Sequence, residues 1–186
     1  MEYFRAKQIA NRLMFDFKPY CERVEIAGSL RRGRAEVHDI EIVAIPKLMA
    51  QTNLLGETLG YRNEIEYPLH LLTLLGAKSI KDGPRYKQIE LPEGINLDLF
   101  LVLPPAQWGV IFAIRTGPRE FSQWIVTTRA KGGCLPSHCR VLDGAVHDGN
   151  GAIVTMPEEI DFLNLLGLGW IEPGQRAARW GRQRAT

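Results

Sequence analysis

Two acids set two positions apart in the apolar run HDIEIVAI, Asp39 and Glu41, are the first residues whose type and spacing could do chemistry. On a β-strand successive side chains alternate, so both carboxylates project from one face while Ile40 and Ile42 take the other. A third acid, Asp98, interrupts INLDLFLVL, where Leu97, Leu99, Leu101 and Leu103 share one face and Asp98 falls on the other with Asn96, Phe100 and Val102. A carboxylate in so apolar a strand needs a partner. Taken singly, a D-x-E on a strand is also what a solvent-facing sheet edge gives, and Asp98 alone is what a salt bridge to a neighbouring arginine gives.

Gly28-Ser29 changes the reading. A strand that ends in Gly-Ser leaves backbone N–H groups and a hydroxyl at a tight turn, which suits phosphate oxygens, and Arg31 and Arg32 follow directly. Phosphates on one side and three carboxylates on the other imply a divalent cation between them. Magnesium prefers a few carboxylates plus phosphate oxygens, and two ions clamp the attacking and leaving oxygens of an in-line displacement. The expected chemistry is nucleotidyl transfer with release of pyrophosphate, Asp39, Glu41 and Asp98 holding two Mg2+ ions for which Mn2+ can substitute.

The elements that must position these residues follow from periodicity and turn chemistry. Ala6, Ile9, Ala10, Leu13, Met14 and Phe17 recur at helical spacing, and Pro19 ends the helix. A short strand at 23–27 meets Gly28-Ser29, and a second strand runs over about 38–45. Residues 47–76 read as mostly helical, with a break at Pro68. Strands are expected over 85–91 and 95–103, each after a Gly-Pro or Pro-Glu-Gly turn signal, together forming a hairpin. From Pro105 the pattern becomes helical over 107–115, stops at Thr116-Gly117-Pro118 and resumes over 119–131. Asp143-Gly144 and Asp148-Gly149-Asn150-Gly151 divide short strands, and Pro157-Glu158-Glu159 opens a last helix closed by Gly167. The fold class is α/β (α+β), a mixed sheet flanked by helices plus a small C-terminal helical and β-hairpin lobe. The division is 1–104, 105–176 and a basic tail at 177–186.

GSLRRGRAEVHDIEI (Gly28 to Ile42) resembles the nucleotidyltransferase signature of family X DNA polymerases, the group of DNA polymerase beta, and NLDLFLV is similar to the strand carrying their third catalytic aspartate. IRTGPREFSQWIV resembles the Tyr-Phe-Thr-Gly segment and the helix after it, and PEEIDFLNLLGLGWIEPGQR resembles the closing region. The wording is nearest to short, phage-type members without the N-terminal lyase domain. The resemblance implies that 1–104 is a palm and 105–176 a nucleotide-selecting lobe. It implies catalytic and metal-binding roles for Asp39, Glu41 and Asp98, and triphosphate binding by Gly28, Ser29 and Arg32. Thr116 and Gly117 would pack against the sugar, and Ser122 would meet the base edge. Its implied activity is that of a minimal polymerase acting on a DNA primer-template and nucleoside triphosphates. Glu41 stands where the family has a second aspartate. Ile114-Arg115 replaces the aromatic pair, so weak discrimination between deoxy- and ribonucleotides is expected. Val126 occupies the place of a template-contacting arginine. A template-independent transferase and a catalytically degenerate DNA- or nucleotide-binding module are the alternatives.

Composition bounds the rest. The chain has 186 residues, 23 Lys+Arg against 21 Asp+Glu and 45% hydrophobic residues, which excludes a polybasic tail or an acidic disordered protein as the main theme. Charge is segregated, with five basic groups against one acidic over 105–141. Arg115, Arg119, Arg129 and Lys131 in this block are the expected DNA contacts, interleaved with Trp108 and Trp124. No apolar run reaches membrane-spanning length and the N-terminus lacks a signal-peptide pattern, so a soluble, cytoplasmic monomer is expected. Cys21, Cys134 and Cys139 are too few and odd in number for a disulfide frame. Cys134, His138, Cys139 and His147 are loosely spaced for zinc but lack a C-x-x-C, and the turn residues among them read as loop and hairpin. His38 is expected on the strand face opposite the acids, and Trp108 in the core.

Overall fold

The computed structural model describes residues 1–176; the basic tail expected at 177–186 lies outside the described residues. Helix α1 (Tyr3–Phe17) buries Ala6, Ile9, Ala10, Leu13 and Phe17, the stripe its periodicity dictates. Strand β1 (Cys21–Ile26) leads through Ala27 into the single turn of α2 (Gly28–Arg31) and then β2 (Asp39–Pro46). After β3 (Leu48–Thr52), β4 (Thr58–Asn63) and α3 (Glu66–Leu74) come β5 (Lys78–Asp82), β6 (Tyr86–Glu90) and β7 (Asn96–Leu101). The lobe that follows holds α4 (Trp108–Thr116), α5 (Arg119–Val126), β8 (Arg140–Leu142), β9 (Ala145–His147), β10 (Ile153–Val154) and α6 (Glu159–Leu165).

Five strands form one mixed sheet in the order β1-β2-β7-β6-β5, in which only β2 and β7 run parallel. One face carries Ile40, Ile42, Ala44, Leu97, Leu99 and Leu101 against α1 and α3 and forms the main core. On the other face, Val43, Phe100 and Val102 are covered by Trp108 and Phe112 of α4. Burying each such aromatic is worth about 2–3 kcal/mol relative to exposure. The opposite side of α4 presents Val110 and Ala113 to the lobe core of Phe121, Ile125, Phe162 and Leu163. Helix α4 is therefore the shared wall of both cores. It covers the second sheet face only toward the C-terminal ends of β2 and β7, and Asp39, Glu41 and Asp98 lie on the part left open.

One backbone contact seats α4 in the lobe, and one ion cluster fastens the lobe to the turn beside the sheet. Gly109 donates to the Met156 carbonyl at 3.1 Å, and a Cβ at Gly109 would overlap the Glu158 carbonyl, so only glycine permits this approach of backbones. Arg31 forms a bidentate pair with Glu159 at 2.8 and 2.9 Å and stacks on Phe112, while the wholly buried Arg176 donates to the same carboxylate at 2.5 Å.

The expected α+β architecture, with a mixed sheet flanked by helices, is the one observed. The helical reading of 47–76 is corrected: β3 and β4 make a separate hairpin of largely exposed residues, and only Glu66–Leu74 is helical. Leu54, Leu55 and Leu59 imitate a helical face but are exposed in the hairpin. The helix expected over 119–131 stops at Val126, and a 3-10 turn spans Arg129–Lys131. Trp108 is buried as expected, and all three cysteines are buried without a disulfide. No helix among the described residues is long and apolar enough to cross a membrane.

Candidate active site

The parallel register of β2 and β7 pairs Glu41 with Asp98 and Asp39 with Asn96, so three carboxylates occupy one patch of the open face. A cavity of about 420 Å³ lies against the Asp39 and Glu41 part of this patch, walled by Ser29, Arg32, His38, Asp39, Glu41, Ile114, Arg115, Gly117, Pro118, Arg119 and Ser122, with Asp98 outside its lining. Its walls thus come from α2, the start of β2, the end of α4 and the start of α5.

Gly28 makes the turn possible. Its φ is +61°, and a Cβ there would overlap the Glu41 carboxylate, so the turn can lie against the acid only with glycine. The Ser29 hydroxyl is buried at the cavity wall with no hydrogen-bond partner, and so are Nε of Arg32 and Nε of Arg115. Buried polar atoms are ordinarily paired, so three orphans on residues around one cavity set this corner apart.

The acids strain one another. Burial, then repulsion from Asp39, pushes the Glu41 carboxyl up to about 7. Burial and then Asp98 push Asp39 upward, with His38 and Arg32 opposing. Burial lowers the pKa of Arg32 and of Arg115, while Glu41 acts in the other direction on both. Asp98 is held from the neighbouring strand: Tyr86 Oη donates to its Oδ1 at 3.0 Å and Gln88 Nε2 at 2.9 Å. Gln88 is the cross-strand partner of Asp98, and Tyr86 stacks on Phe100 with ring centroids 5.0 Å apart.

Three carboxylates on adjacent strands are the donor chemistry a hard divalent cation takes. As the side chains stand, no three His, Cys, Asp or Glu groups among the described residues converge closely enough to hold an ion. Asp98 is turned toward Tyr86 and Gln88, and the repulsion between Asp39 and Glu41 is only partly offset by Arg32 and Arg115. In type the donor set fits such an ion, and Asp39, Glu41 and Asp98 are the residues that would hold it.

The remaining residues singled out in the sequence divide into two groups. Arg32, Arg115, Gly117, Arg119 and Ser122 line the cavity, with Arg119 exposed at its mouth. Arg32 also donates to the Thr116 carbonyl at 2.7 Å, and Ser122 Oγ donates to the Ile114 carbonyl at 2.5 Å. Thr116 is wholly buried and its hydroxyl accepts from Arg31, so it serves the fastening of α2 to α4 instead of facing the cavity. Arg129 donates to the Cys134 and Leu166 carbonyls, a lobe-internal role, and Lys131 is exposed outside the cavity. His38, expected on the far side, is exposed just before β2 and lines the cavity. Tyr86, Gln88 and Glu159 were not singled out, since only cross-strand register and long-range contact bring them to this site.

No family model matches this chain, and a search of curated proteins finds no match. Fold and site define an α+β protein whose helix-free sheet corner presents carboxylates to a cationic, hydroxyl-bearing turn.

Proposed function

We propose that this protein is a nucleotidyltransferase, a minimal DNA polymerase of the family X type, which transfers a nucleoside monophosphate from a triphosphate to a primer 3′-hydroxyl. The observation that carries this reading is the pairing of Glu41 with Asp98 across two parallel strands, directly against a Gly28-Ser29 turn whose hydroxyl lacks a partner. The Ser29 hydroxyl and the Arg32 guanidinium hold the triphosphate. Asp39, Glu41 and Asp98 hold divalent magnesium, which when bound polarises the α-phosphate and acidifies the acceptor hydroxyl.

The acceptor oxygen forms a bond to the α-phosphorus as the α–β bridging P–O bond breaks. Pyrophosphate leaves with that electron pair, and the acceptor proton passes to Asp98. The second oxygen of Asp98 receives no protein donor among the hydrogen bonds of the described residues, while its first is fixed by Tyr86 and Gln88. Arg32 neutralises the departing charge, and α4 with α5 limits water on the lobe side.

Extension of gapped, recessed and single-stranded acceptors, each with deoxy- and ribonucleotides, tests the proposal. Asp98→Ala is expected to abolish extension with an unchanged circular dichroism spectrum, and retained activity would refute the assignment. Growth of the single strand without template would instead favour the template-independent reading.

A further inference from the structure

Two cations flank the carboxylates on the same face of the sheet, one toward each end of the strand order. Arg32, on the turn after edge strand β1, has Glu41 and Asp39 as its acidic electrostatic neighbours. Arg115 has Glu41 and Asp98, together with Tyr86 of β6. Its guanidinium lies 3.9 Å over the ring of Phe100 on β7. Along the order β1-β2-β7-β6, Arg32 thus sits before the acids and Arg115 after them.

Arg115 is also poorly satisfied. Its Nε is buried without a partner, and it forms no ion pair within 4.0 Å among those of the described residues, whereas Arg31, Arg23 and Arg176 each hold a carboxylate. Stacking of Arg115 on Phe100, and of Phe100 on Tyr86, fixes the guanidinium plane without using its donors. A guanidinium set against an aromatic ring at a cavity wall, with no carboxylate in its grip, is placed to take an oxyanion.

We infer that Arg115 is the acceptor-side anchor: it binds the phosphodiester next to the acceptor hydroxyl, so the acceptor class is a polynucleotide 3′-end. This rests on the nucleotidyltransferase reading. In-line displacement puts the attacking and leaving oxygens on opposite sides of the phosphorus. With the leaving pyrophosphate on the Ser29 and Arg32 side, the acceptor arrives toward β7, over whose Phe100 the Arg115 guanidinium lies at the cavity wall. A neutral alcohol acceptor would leave that cation with nothing to bind.

The test compares oligonucleotides carrying a phosphodiester or an uncharged methylphosphonate at the terminal linkage, with wild type, Arg115→Lys and Arg115→Ala. KM for the acceptor is read from transfer, and Kd is read separately by fluorescence anisotropy without triphosphate. Neutralising the terminal linkage is expected to raise KM and Kd roughly tenfold in wild type and to have no further effect in Arg115→Ala. A methylphosphonate four linkages upstream should change neither by as much as twofold. Multiplicative effects of the substitution and the neutral linkage, or an inert neutral linkage in wild type, would overturn the inference. Should Arg115→Ala not fold, Arg115→Lys decides, because an ammonium lacks the fork and should retain only part of the linkage discrimination. Absence of transfer by wild type to every acceptor defeats the nucleotidyltransferase reading, while anisotropy still decides the role of Arg115.

Discussion

Glu159→Gln is the perturbation that best isolates how the cavity is held in shape. The Glu159 carboxylate accepts from Arg31 at 2.8 and 2.9 Å and from Arg176 at 2.5 Å, and it is 4% exposed. Removing its charge leaves two guanidiniums without a counter-ion. Breaking a buried pair costs about 3–5 kcal/mol. Arg31 is a fifth exposed and can regain some water, and glutamine retains one acceptor oxygen, so about 3 kcal/mol is expected. Urea denaturation at pH 7 should show this as a midpoint lowered by about 1.5 M, taking a slope of about 2 kcal/mol per molar. A second arm uses pH. Burial pushes the Glu159 carboxyl up, but the hydrogen bonds and charges of Arg31 and Arg176 outweigh it, leaving the pKa below its ordinary 4.5. A lowered folded pKa contributes stability above the unfolded value that is lost as pH falls through the folded one. Below about pH 4.5 the wild type should therefore lose this contribution and the variant should not. A destabilisation under about 0.5 kcal/mol at pH 7, or equal acid losses in the two proteins, would refute the reasoning.

Glu41 gives the opposite pH dependence. Its raised pKa of about 7 means that its contribution is present below the unfolded value and lost as pH rises through 7. In chelator, Glu41→Gln should melt several degrees above wild type at pH 8 and level with it at pH 5, at about 2–4 °C per kcal/mol; equal gaps at both pH values would count against mutual repulsion. Gly28→Ala and Gly33→Ala share a positive φ, +61° and +68°, but only the first meets another group within 4 Å. Gly33→Ala should cost about 1 kcal/mol, and Gly28→Ala about 2 kcal/mol more, by displacing the Glu41 carboxylate. Equal losses in urea melts would show that the turn does not press on Glu41.

What was legible in the sequence was governed by short periods. The two-residue alternation of HDIEIVAI and INLDLFLVL puts the acids on one face, and Gly28-Ser29 marks the turn beside them. The pairing of Glu41 with Asp98 was not legible, because register between strands 57 positions apart depends on everything packed around them. The hairpin at β3 and β4 was misread because leucines at helical spacing imply a buried stripe only if something covers them, and nothing among the described residues does. Thr116 sits in a segment whose wording suggests a ligand contact. The hydrogen bond from Arg31, 85 positions away, and complete burial direct it inward. Arg129 counts as positive charge in the sequence, and only the structure shows that its Nε and one Nη donate to carbonyls of its own lobe while the side chain stays exposed.

The Arg31–Glu159–Arg176 cluster also sets an order of events during synthesis. Arg31 leaves the ribosome 128 residues before Glu159, an interval of roughly 6–26 s at about 5–20 residues per second. Throughout it the sheet can assemble as far as β7, but Phe100 and Val102 lack the cover of α4 until that helix emerges, and Arg31 lacks its counter-ion until α6 does. The turn that carries Ser29 and Arg32 is consequently among the earliest segments made and among the last to be braced, its cluster completed only when Arg176 closes on Glu159.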